Sequence, residues 1–316
     1  FLGRSLVQSL LQAGHRVRVL DNDSRGSAKK LGESMALVDL QTGDIRNPGV
    51  VLRAMEQIDV VFHLAYINGT EFFYTRPGEI LEVGVKGMVN VLDACRAAGT
   101  RQLFLASSSE VYQEPPRIPT PESVPLTIPD VLNPRYSYGG GKIISELLAL
   151  HQETRDFDRV VVFRPHNVYG PDMGREHVVP QFALRLRELL NKEPAGTPDF
   201  PIQGTGRETR ALIHIRDFTR ALLLLLKSGK DREIYHLGTE EEIPMADLAR
   251  MVAQEGFGRE IRVVPGPLRK GSPARRCPET SKIRALGFVP AVSLREGVRE
   301  TVRWYAQAPR DNLETR

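Results

Sequence analysis

The chain has 316 residues, of which 41% are hydrophobic and 26% charged, and its formal net charge is +4 at pH 7. This composition is typical of a soluble globular protein, long enough for one large α/β unit and a smaller second lobe. The basic residues are scattered, which argues against a nucleic-acid surface. Cys95 and Cys277, with no CxxC or Cys/His cluster, support neither a disulfide framework nor a zinc site. We therefore expect no nucleic-acid partner and no metal.

The hydrophobic residues give no sign of a membrane segment. The longest apolar run, 221–226, is far short of the roughly 20 residues that span a bilayer. The sequence also carries no signal-peptide pattern. We therefore expect a cytoplasmic protein with no membrane partner.

Helical and strand patterns alternate through the first half of the chain. Apolar spacing predicts helices over 6–13, 83–98 and 141–154, the first two closed by Gly14 and Gly99. Alternating or apolar runs predict strands over 16–20, 60–64, 102–106 and 160–163. Strands that alternate with helices form parallel βαβ units, so the predicted fold class is α/β with a doubly wound parallel sheet.

The composition of the sequence changes after about Tyr169, where prolines become frequent and the predicted loops become longer. This change predicts a smaller C-terminal lobe packed on the open end of the sheet. The lobe closes with an amphipathic helix predicted over 294–305. That helix carries the only tryptophan, Trp304, which we expect to pack in the core.

Acidic residues follow two predicted strands near the start of the chain. The strand over 16–20 ends in Asp21-Asn22, and a carboxylate there can bind both ribose hydroxyls of NAD and repel the phosphate of NADP. A solvated turn aspartate is the alternative, and the nearby Arg25 leaves NADP open. Asp44 and Ile45 would lie beside the adenine in such a fold, or form an ordinary loop.

Gly3 stands directly before the first predicted helix. It suits the last glycine of a dinucleotide fingerprint, which allows a helix and a strand to pack closely. On this interpretation the first strand and the earlier glycines would precede Phe1.

Tyr138 and Lys142 are separated by three glycines in a predicted helix, where residues four apart share a face. A lysine ammonium at that distance would lower the pKa of the tyrosine from about 10 towards neutrality. Tyr138 could then remove a proton from a hydroxyl whose carbon loses a hydride. The spacing alone also arises by chance. The glycines are poor helix formers, and we expect them to let substrate or cofactor approach the helix backbone.

The predicted strand over 102–106 runs into Ser107, Ser108, Ser109 and Glu110. Open α/β sheets place their chemistry at the carboxyl ends of parallel strands. A serine there could hydrogen-bond the same substrate oxygen as Tyr138, although serines at a strand end are also ordinary turn residues.

These motifs resemble the extended short-chain dehydrogenases/reductases of the NAD-dependent nucleotide-sugar epimerase/dehydratase family. The resemblance covers nearly the whole chain, with ordered matches at 20–22, 43–45, 63–65, 107–112, Tyr138 with Lys142, 164–171, 204–210, Asp217 and 293–297. It implies a Rossmann fold that binds NAD over 1–170, to which 207–230 returns. Most of 171–316 would then bind the sugar nucleotide.

The resemblance also implies roles for individual residues. The catalytic triad would be Ser108, Tyr138 and Lys142. The diphosphate of the sugar nucleotide would contact Asn167 and Arg210, with Arg275 or Arg276 as a further partner, because guanidinium groups bind phosphate oxygens in a bidentate way; a surface charge is the alternative for each arginine. NAD would contact Gly3, Asp21, Asn22, Asp44, Ile45, Leu64, Ala65, Tyr138 and Lys142.

Three positions depart from the family pattern. Gly84 stands where the family normally has an asparagine near the nicotinamide, and Ala211 replaces an aspartate that often follows the phosphate arginine. His166 replaces a common aromatic residue. It is either a substrate-binding residue or proton carrier, or a packed core histidine.

Several reactions share the same first step, the oxidation of a sugar hydroxyl to a ketone. Return of the hydride to the other face gives an epimerase, which we favour. Ser109 and Glu110 stand where related 4,6-dehydratases and uronic acid decarboxylases carry additional catalytic groups, so both alternatives remain. Two further alternatives are a reductase that uses NADPH and a sensor that binds NAD and nucleotide without turnover.

All the enzymatic alternatives except the reductase regenerate NAD in each turnover, so we expect tightly held NAD. The helix after Lys142 carries apolar residues beyond the needs of one core face, at Ile143, Ile144, Leu147, Leu148 and Leu150. The equivalent helix forms a dimer interface in the family, so we expect a homodimer.

Overall fold

The computed structural model describes residues 1–151, 156–267 and 274–307. Its strands are β1 (Val17–Asp21), β2 (Val38–Thr42), β3 (Val60–His63), β4 (Gln102–Ala106), β5 (Arg159–Pro165), β6 (Val168–Tyr169), β7 (Asp199–Pro201), β8 (Thr209–Ala211), β9 (Ile213–His214), β10 (Glu233–Leu237), β11 (Glu242–Pro244), β12 (Arg262–Val264) and β13 (Arg275–Arg276).

The α-helices are α1 (Leu2–Gln12), α2 (Pro48–Met55), α3 (Thr70–Thr75), α4 (Pro77–Leu81), α5 (Gly87–Ala98), α6 (Ser137–His151), α7 (Val178–Lys192), α8 (Ile215–Ser228), α9 (Met245–Phe257), α10 (Ser281–Arg284) and α11 (Leu294–Gln307). No helix in the described ranges is both long enough and apolar enough to cross a bilayer.

The central sheet has four parallel strands in the order β10-β5-β4-β3. Its two middle strands are buried on both faces, as parallel strands between helices are. Because side chains alternate along a strand, Leu103 and Leu105 face the core formed with α2, α5 and α6, whereas Phe104 and Ala106 face α1 and α8. Helices therefore cover both faces, and the predicted α/β fold with a parallel sheet is confirmed.

The parallel pair β1-β2 forms a separate sheet. No ladder of hydrogen bonds joins β1 to β3 in the part of the chain that the structure describes. The acidic tip of β1 belongs to this smaller sheet, and the predicted doubly wound fold class is confirmed by the Rossmann-type arrangement of parallel strands and helices.

A second core lies among α7, α9 and α11 and the short strands beside them. Trp304, in α11, packs at the edge of this core against Tyr305, with ring centroids 4.7 Å apart. By contrast, α8 packs against the central sheet rather than in the second core. The domain boundary near residue 170 stays a prediction.

Three predicted helices differ in their limits. Helix α1 begins at Leu2 rather than at residue 6 and ends at Gln12 rather than at residue 13. The first four residues of the helix predicted over 83–98 lie in a π-type turn, Glu82–Lys86, and α5 begins only at Gly87. Helix α5 ends at Ala98, and it is followed by Gly99, whose φ of 74° suits glycine. Helix α6 begins at Ser137 rather than at 141, and its three glycines lie inside it. Tertiary packing has overridden their low helix propensity. The predicted end at residue 154 lies outside the described residues.

Candidate active site

The carboxyl end of β4 places three serines in different surroundings. The Ser107 hydroxyl is buried against the carboxylate of Glu146. Ser108 caps a short 3-10 helix, Ser109–Tyr112, and its hydroxyl accepts the Glu110 N–H at 3.1 Å. Only Ser108 of the three is partly exposed, so its hydroxyl is the one available to a ligand.

Tyr138, in the first turn of α6, lies beside Ser108. Its side chain is 5% exposed; burial raises the pKa of its hydroxyl, and the neighbouring Ser108 side chain opposes that rise. The Tyr138 ring stacks on Phe73 at 4.8 Å and meets the Tyr66 ring edge-on at 5.2 Å. Helix α6 and the end of β4 thus bring the predicted serine and tyrosine together.

Lys142 lies one helical turn after Tyr138 but is directed elsewhere. Its Nζ donates to the Ala106 carbonyl at 2.6 Å and lies 3.8 Å from the centroid of the Tyr66 ring, against 6.0 Å from that of Tyr138. Burial lowers the pKa of Lys142 to about 7. Burial also raises the pKa of Tyr138 to about 12. The predicted fall of the Tyr138 pKa towards neutrality is wrong for this arrangement, because desolvation dominates.

The three glycines of α6 are covered by protein. A Cβ on Gly139 would lie 2.6 Å from the Gln113 amide nitrogen, one on Gly140 would lie 3.2 Å from Ile128, and one on Gly141 would lie 2.2 Å from the Tyr66 hydroxyl. The prediction that they open the helix backbone to a ligand is therefore wrong. They allow other parts of the chain to pack tightly on α6.

A buried ion pair that no sequence motif indicated lies beneath the site. Arg164, in β5, binds both carboxylate oxygens of Glu146, in α6, at 2.9 and 2.6 Å. Glu146 also accepts from Ser107, and its charge favours the protonated form of Lys142. The position of Glu146 four residues after Lys142 was the available signal, since it puts both on one helical face.

Glu110 is half-buried among arginines. Its carboxylate lies 2.6 Å from Arg276 and 3.6 Å from Arg135. Burial alone would raise the pKa of Glu110, but the guanidinium of Arg276 lowers it below its usual value. Glu110 is therefore ionised at neutral pH, and Ser109 beside it is buried.

The acidic residues predicted to bind NAD meet at the carboxyl ends of β1 and β2. Asn22 donates to the Asp44 carboxylate at 3.0 Å, and the bonds from Arg46 lower the pKa of Asp44 to about 2. The exposed Asp21 carboxylate accepts the N–H of Asp23. A carboxylate with further lone pairs at a strand tip is the group that binds a ribose diol, so these residues fit NAD.

The remaining residues predicted to bind the cofactor lie in different places. Leu64 and Ala65 directly follow β3, and Ile45 is buried with its carbonyl accepting from Asn90. A Cβ on Gly3 would meet no atom of the described residues within 4 Å. The close helix–strand packing expected at Gly3 is thus not seen here, and its role as a fingerprint glycine stays a prediction.

Arg25, which left NADP open in the sequence, is occupied by protein groups. Its guanidinium lies 2.6 Å from the Glu176 carboxylate and 5.1 Å from the centroid of the Phe72 ring. This ion pair joins the loop after β1 to the loop before α7.

A cleft of about 290 Å³ opens beside the second core, with Asn167 and Arg210 in its wall. Asn167 has a φ of 43°, and its amide donates to the Ala211 carbonyl at 2.8 Å. Burial lowers the pKa of Arg210 to about 10, and the charge of Arg276 adds to this effect. The two residues predicted to bind the diphosphate therefore share one cleft.

The other residues predicted to bind the substrate lie in different surroundings. Arg276 is directed at Glu110, whereas Arg275 is exposed and binds Glu242 at 2.5 Å. His166 is 1% exposed, and neither of its ring nitrogens has a hydrogen-bond partner among the described residues. Its ring meets that of His236 at 4.6 Å. A proton-carrying role for His166 stays a prediction.

Two relatives of known activity align with nearly the whole chain. The dTDP-4-dehydro-6-deoxy-D-allose reductase of Streptomyces bikiniensis is 32% identical over 96% of this chain and 93% of its own length. The UDP-N-acetyl-alpha-D-glucosaminuronate decarboxylase of Bacillus cytotoxicus is 27% identical over 98% of this chain and 96% of its own length.

Two solved structures are also similar to nearly the whole chain. A double mutant of the dTDP-glucose 4,6-dehydratase from Streptomyces venezuelae, with NAD bound, has a TM-score of 0.82 at 29% identity, covering 97% of this chain and 94% of that one. The UDP-glucose 4-epimerase of Thermus thermophilus in complex with NAD also has a TM-score of 0.82, at 28% identity over 98% of this chain and 97% of that one.

The model of the NAD-dependent epimerase/dehydratase family matches residues 1–238. The similar proteins described above are a reductase, a decarboxylase, a dehydratase and an epimerase of nucleotide sugars. On this match, on the α/β fold and on the NAD-bound neighbours, the chain belongs to the NAD-dependent epimerase/dehydratase family, and its cofactor is NAD.

Proposed function

We propose that the protein is a nucleotide-sugar epimerase, which oxidises C4 of the sugar with bound NAD and returns the hydride to the opposite face. The observation that carries the proposal is the pairing of Glu110 with Arg276 at 2.6 Å. It leaves the neighbouring hydroxyls of Ser108 and Tyr138 as the proton-transferring groups at the end of β4. Epimerisation requires no other acid or base.

The proposed chemistry assigns one task to each residue. NAD, when bound, takes up the hydride from the sugar carbon and later gives it back. Tyr138, in its tyrosinate form, accepts the hydroxyl proton as the ketone forms and returns it after the sugar has turned. The ammonium form of Lys142, one helical turn away, would favour that tyrosinate. Burial raises the pKa of Tyr138, and the neighbouring Ser108 opposes that rise. The same serine hydroxyl would hold the sugar oxygen. Asp21 would hold the ribose of NAD, whereas Asn167 and Arg210 would hold the diphosphate.

The state of Glu110 argues against a 4,6-dehydratase. Elimination of water from C6 requires an acid that protonates the departing hydroxyl. Ser109 is a far weaker acid than a carboxylic acid, and Arg276 keeps Glu110 ionised. Neither residue supplies that proton in the observed arrangement.

A uronic acid decarboxylase is the second candidate. Arg276 and Arg135 already hold one carboxylate, that of Glu110, and arginines in this arrangement also suit the carboxylate of a uronic acid. Loss of carbon dioxide from the keto acid that follows C4 oxidation needs no acid to protonate a leaving group. The 27% identical decarboxylase from Bacillus cytotoxicus supports this alternative.

Product analysis distinguishes the candidates. The purified protein is incubated separately with UDP-glucose, UDP-glucuronate and dTDP-glucose, and the products are followed by ¹H NMR. We expect a C4 epimer to form without release of carbon dioxide. Release of carbon dioxide from UDP-glucuronate would favour the decarboxylase, and a 4-keto-6-deoxy sugar would contradict both proposals. Binding of NAD and nucleotide with no turnover would favour the sensor.

Retention of the cofactor tests the internal redox cycle. Because the proposed epimerase regenerates NAD in each turnover, we expect NAD to stay bound through dialysis and to be released by denaturation. Turnover that requires added NADPH in stoichiometric amounts would instead indicate a reductase, the activity of the Streptomyces bikiniensis relative.

We further propose a cytoplasmic homodimer. Ile144 and Leu147 of α6 are 39% and 54% exposed, and Leu81 of the adjoining α4 is 38% exposed. Ile143, Leu148 and Leu150 pack in the protein's own cores, so the apolar face available to a second copy is smaller than the sequence predicted. We call Leu81, Ile144 and Leu147 the α4/α6 face.

A further inference from the structure

The Tyr66 side chain occupies a slot formed by two glycines. A Cβ on Gly84, in the π-type turn, would lie 2.1 Å from the Tyr66 hydroxyl oxygen, and a Cβ on Gly141, in α6, would lie 2.2 Å from it. Real Cβ atoms do not approach an oxygen so closely. Two segments that are distant in sequence therefore both lack a side chain at the point where this hydroxyl lies.

Within this slot, Tyr66 contacts both residues at the centre of the site. The Lys142 Nζ lies 3.8 Å from the centroid of the Tyr66 ring, a distance typical of a cation–π contact. The edge-on contact with Tyr138, at 5.2 Å and 86°, fixes the other side of the ring. The ring thus lies between the lysine and the tyrosine of the proposed triad.

Space filling alone does not account for a tyrosine at this position. Its hydroxyl is buried and has no hydrogen-bond partner among the described residues, and burial of an unpaired hydroxyl is unfavourable. An aliphatic side chain would fill the slot without that cost, but it would provide no π face for an ammonium group. The contact with Lys142 is what requires an aromatic ring.

We propose that Tyr66 is a positioning residue of the reaction, whose ring, held between Gly84 and Gly141, fixes the Lys142 ammonium beside Tyr138. The proposal rests on the dehydrogenase chemistry proposed above. Tyr66 itself is assigned no proton transfer and no contact with the substrate. It acts through Lys142.

Two substitutions at Tyr66 distinguish the contribution of its ring to the reaction from that of its hydroxyl. Below about pH 7, where the folded protein carries the Lys142 ammonium, we expect Tyr66→Leu to lower kcat about tenfold or more, with the KM for the nucleotide sugar within about twofold of wild type, because the cation–π contact is lost. The conservative Tyr66→Phe should restore kcat to within about threefold of wild type. Tyr74, which is 48% exposed in α3, provides the matched control Tyr74→Leu. Equal kcat values for Tyr66→Leu and wild type would overturn the proposal.

The glycine at position 84 provides a second test. Gly84→Ala should lower kcat in the wild-type background, because its Cβ displaces the Tyr66 ring, but should cause no further loss in Tyr66→Leu. Gly78→Ala is the matched control, since a Cβ there meets no atom of the described residues within 4 Å. Additive losses in the double variant would show that Gly84 and Tyr66 act independently and would contradict the proposal.

A readout that needs no turnover keeps this proposal separate from the proposed function. In protein labelled with ¹³Cε-lysine, a lysine lying on an aromatic ring has an upfield-shifted Cε–H resonance, assigned here by its loss in Lys142→Met. The shift should persist in Tyr66→Phe and disappear in Tyr66→Leu. If wild-type protein turns over no nucleotide sugar, the proposed function fails, and the resonance alone decides the placement of Lys142: an unshifted resonance overturns it and a shifted one supports it.

Discussion

Burial shifts the pKa values of Tyr138 and Lys142 in opposite directions, upward for the phenol and downward for the amine. Both shifts favour the uncharged form. Proton transfer by Tyr138 therefore depends on groups that stabilise tyrosinate, and Ser108 has the largest such effect among its neighbours. Desolvation therefore has the largest effect on the pKa values of both residues.

Removal of the Tyr138 hydroxyl tests its proposed role. We expect Tyr138→Phe to lower kcat by about 10²–10⁴, the usual contribution of a general acid–base group, with nucleotide binding retained. The measurement is turnover by NMR, with nucleotide affinity by calorimetry. Tyr74→Phe, at an exposed site, is the control, and a Tyr138→Phe enzyme as fast as wild type would refute the mechanism.

The lowered pKa of Lys142 predicts how stability depends on pH. Between about pH 7 and its ordinary value of 10.5, the unfolded chain carries the lysine proton and the folded protein does not. The free energy of unfolding therefore rises with pH in this window, by up to about 1.4 kcal/mol per pH unit. Urea unfolding at pH 7, 8 and 9 should show this slope relative to Lys142→Met.

The control for this measurement is Lys227→Met, at an exposed position in α8, which should keep the wild-type slope. Parallel pH profiles for wild type and Lys142→Met would show that Lys142 is not buried in the neutral form.

At the scale of elements, the ion pair between Arg164 and Glu146 ties α6 to β5 under the catalytic residues. We expect Glu146→Gln to lower the free energy of unfolding by about 3–5 kcal/mol, because it leaves a buried guanidinium without its countercharge. Glu296→Gln, which breaks an exposed pair with Arg216, should cost about 1 kcal/mol or less. Chemical denaturation measures both, and equal losses would contradict the structural role of the buried pair.

The same elements explain what the sequence could predict. Periodicity predicted the strands of the sheet, and the polar residues after β1, β2 and β4 predicted which edge carries the site, because the carboxyl ends of parallel strands meet at one edge. The prediction that Ser108 lies near Tyr138 came from the family resemblance. Side-chain direction was not predictable. Whether Lys142 points to Tyr138 or to the Ala106 carbonyl depends on packing around Tyr66, a residue with no motif of its own.

The glycines of α6 are a second example. Three consecutive glycines in a helix look like an opening for a ligand, but whether a neighbouring side chain fills that opening is decided by segments distant in sequence. Gln113, Ile128 and Tyr66 fill it here. Likewise, the pairing of Arg276 with Glu110 joins residues 166 positions apart, which no local pattern indicates.

At the scale of the whole molecule, ion pairs connect the first part of the chain with the loops before α7. Asp172 binds both Arg4 and Lys30 at 2.6 Å, and Glu176 binds Arg25. Glu176 lies in the wall of the cleft assigned to the nucleotide, so its pair with Arg25 links that cleft to the loop after β1.

The α4/α6 face makes a prediction about assembly. Leu147→Glu places a charge on the most exposed of its three residues, and we expect it to convert the proposed dimer into a monomer at micromolar concentration. Light scattering coupled to gel filtration measures the mass. Val131→Glu, at an 85% exposed site outside this face, is the control, and a monomeric wild-type protein would contradict the proposal.

The left-handed backbone at Asn167 determines which substitution can isolate the contribution of its amide. Asparagine tolerates this conformation, whereas alanine or a β-branched residue would add strain. Glycine alone removes the side chain and keeps the turn at its unstrained shape. A weaker affinity for nucleotide in Asn167→Gly therefore measures a lost contact, whereas the same loss in Asn167→Ala combines that contact with a distorted wall of the cleft.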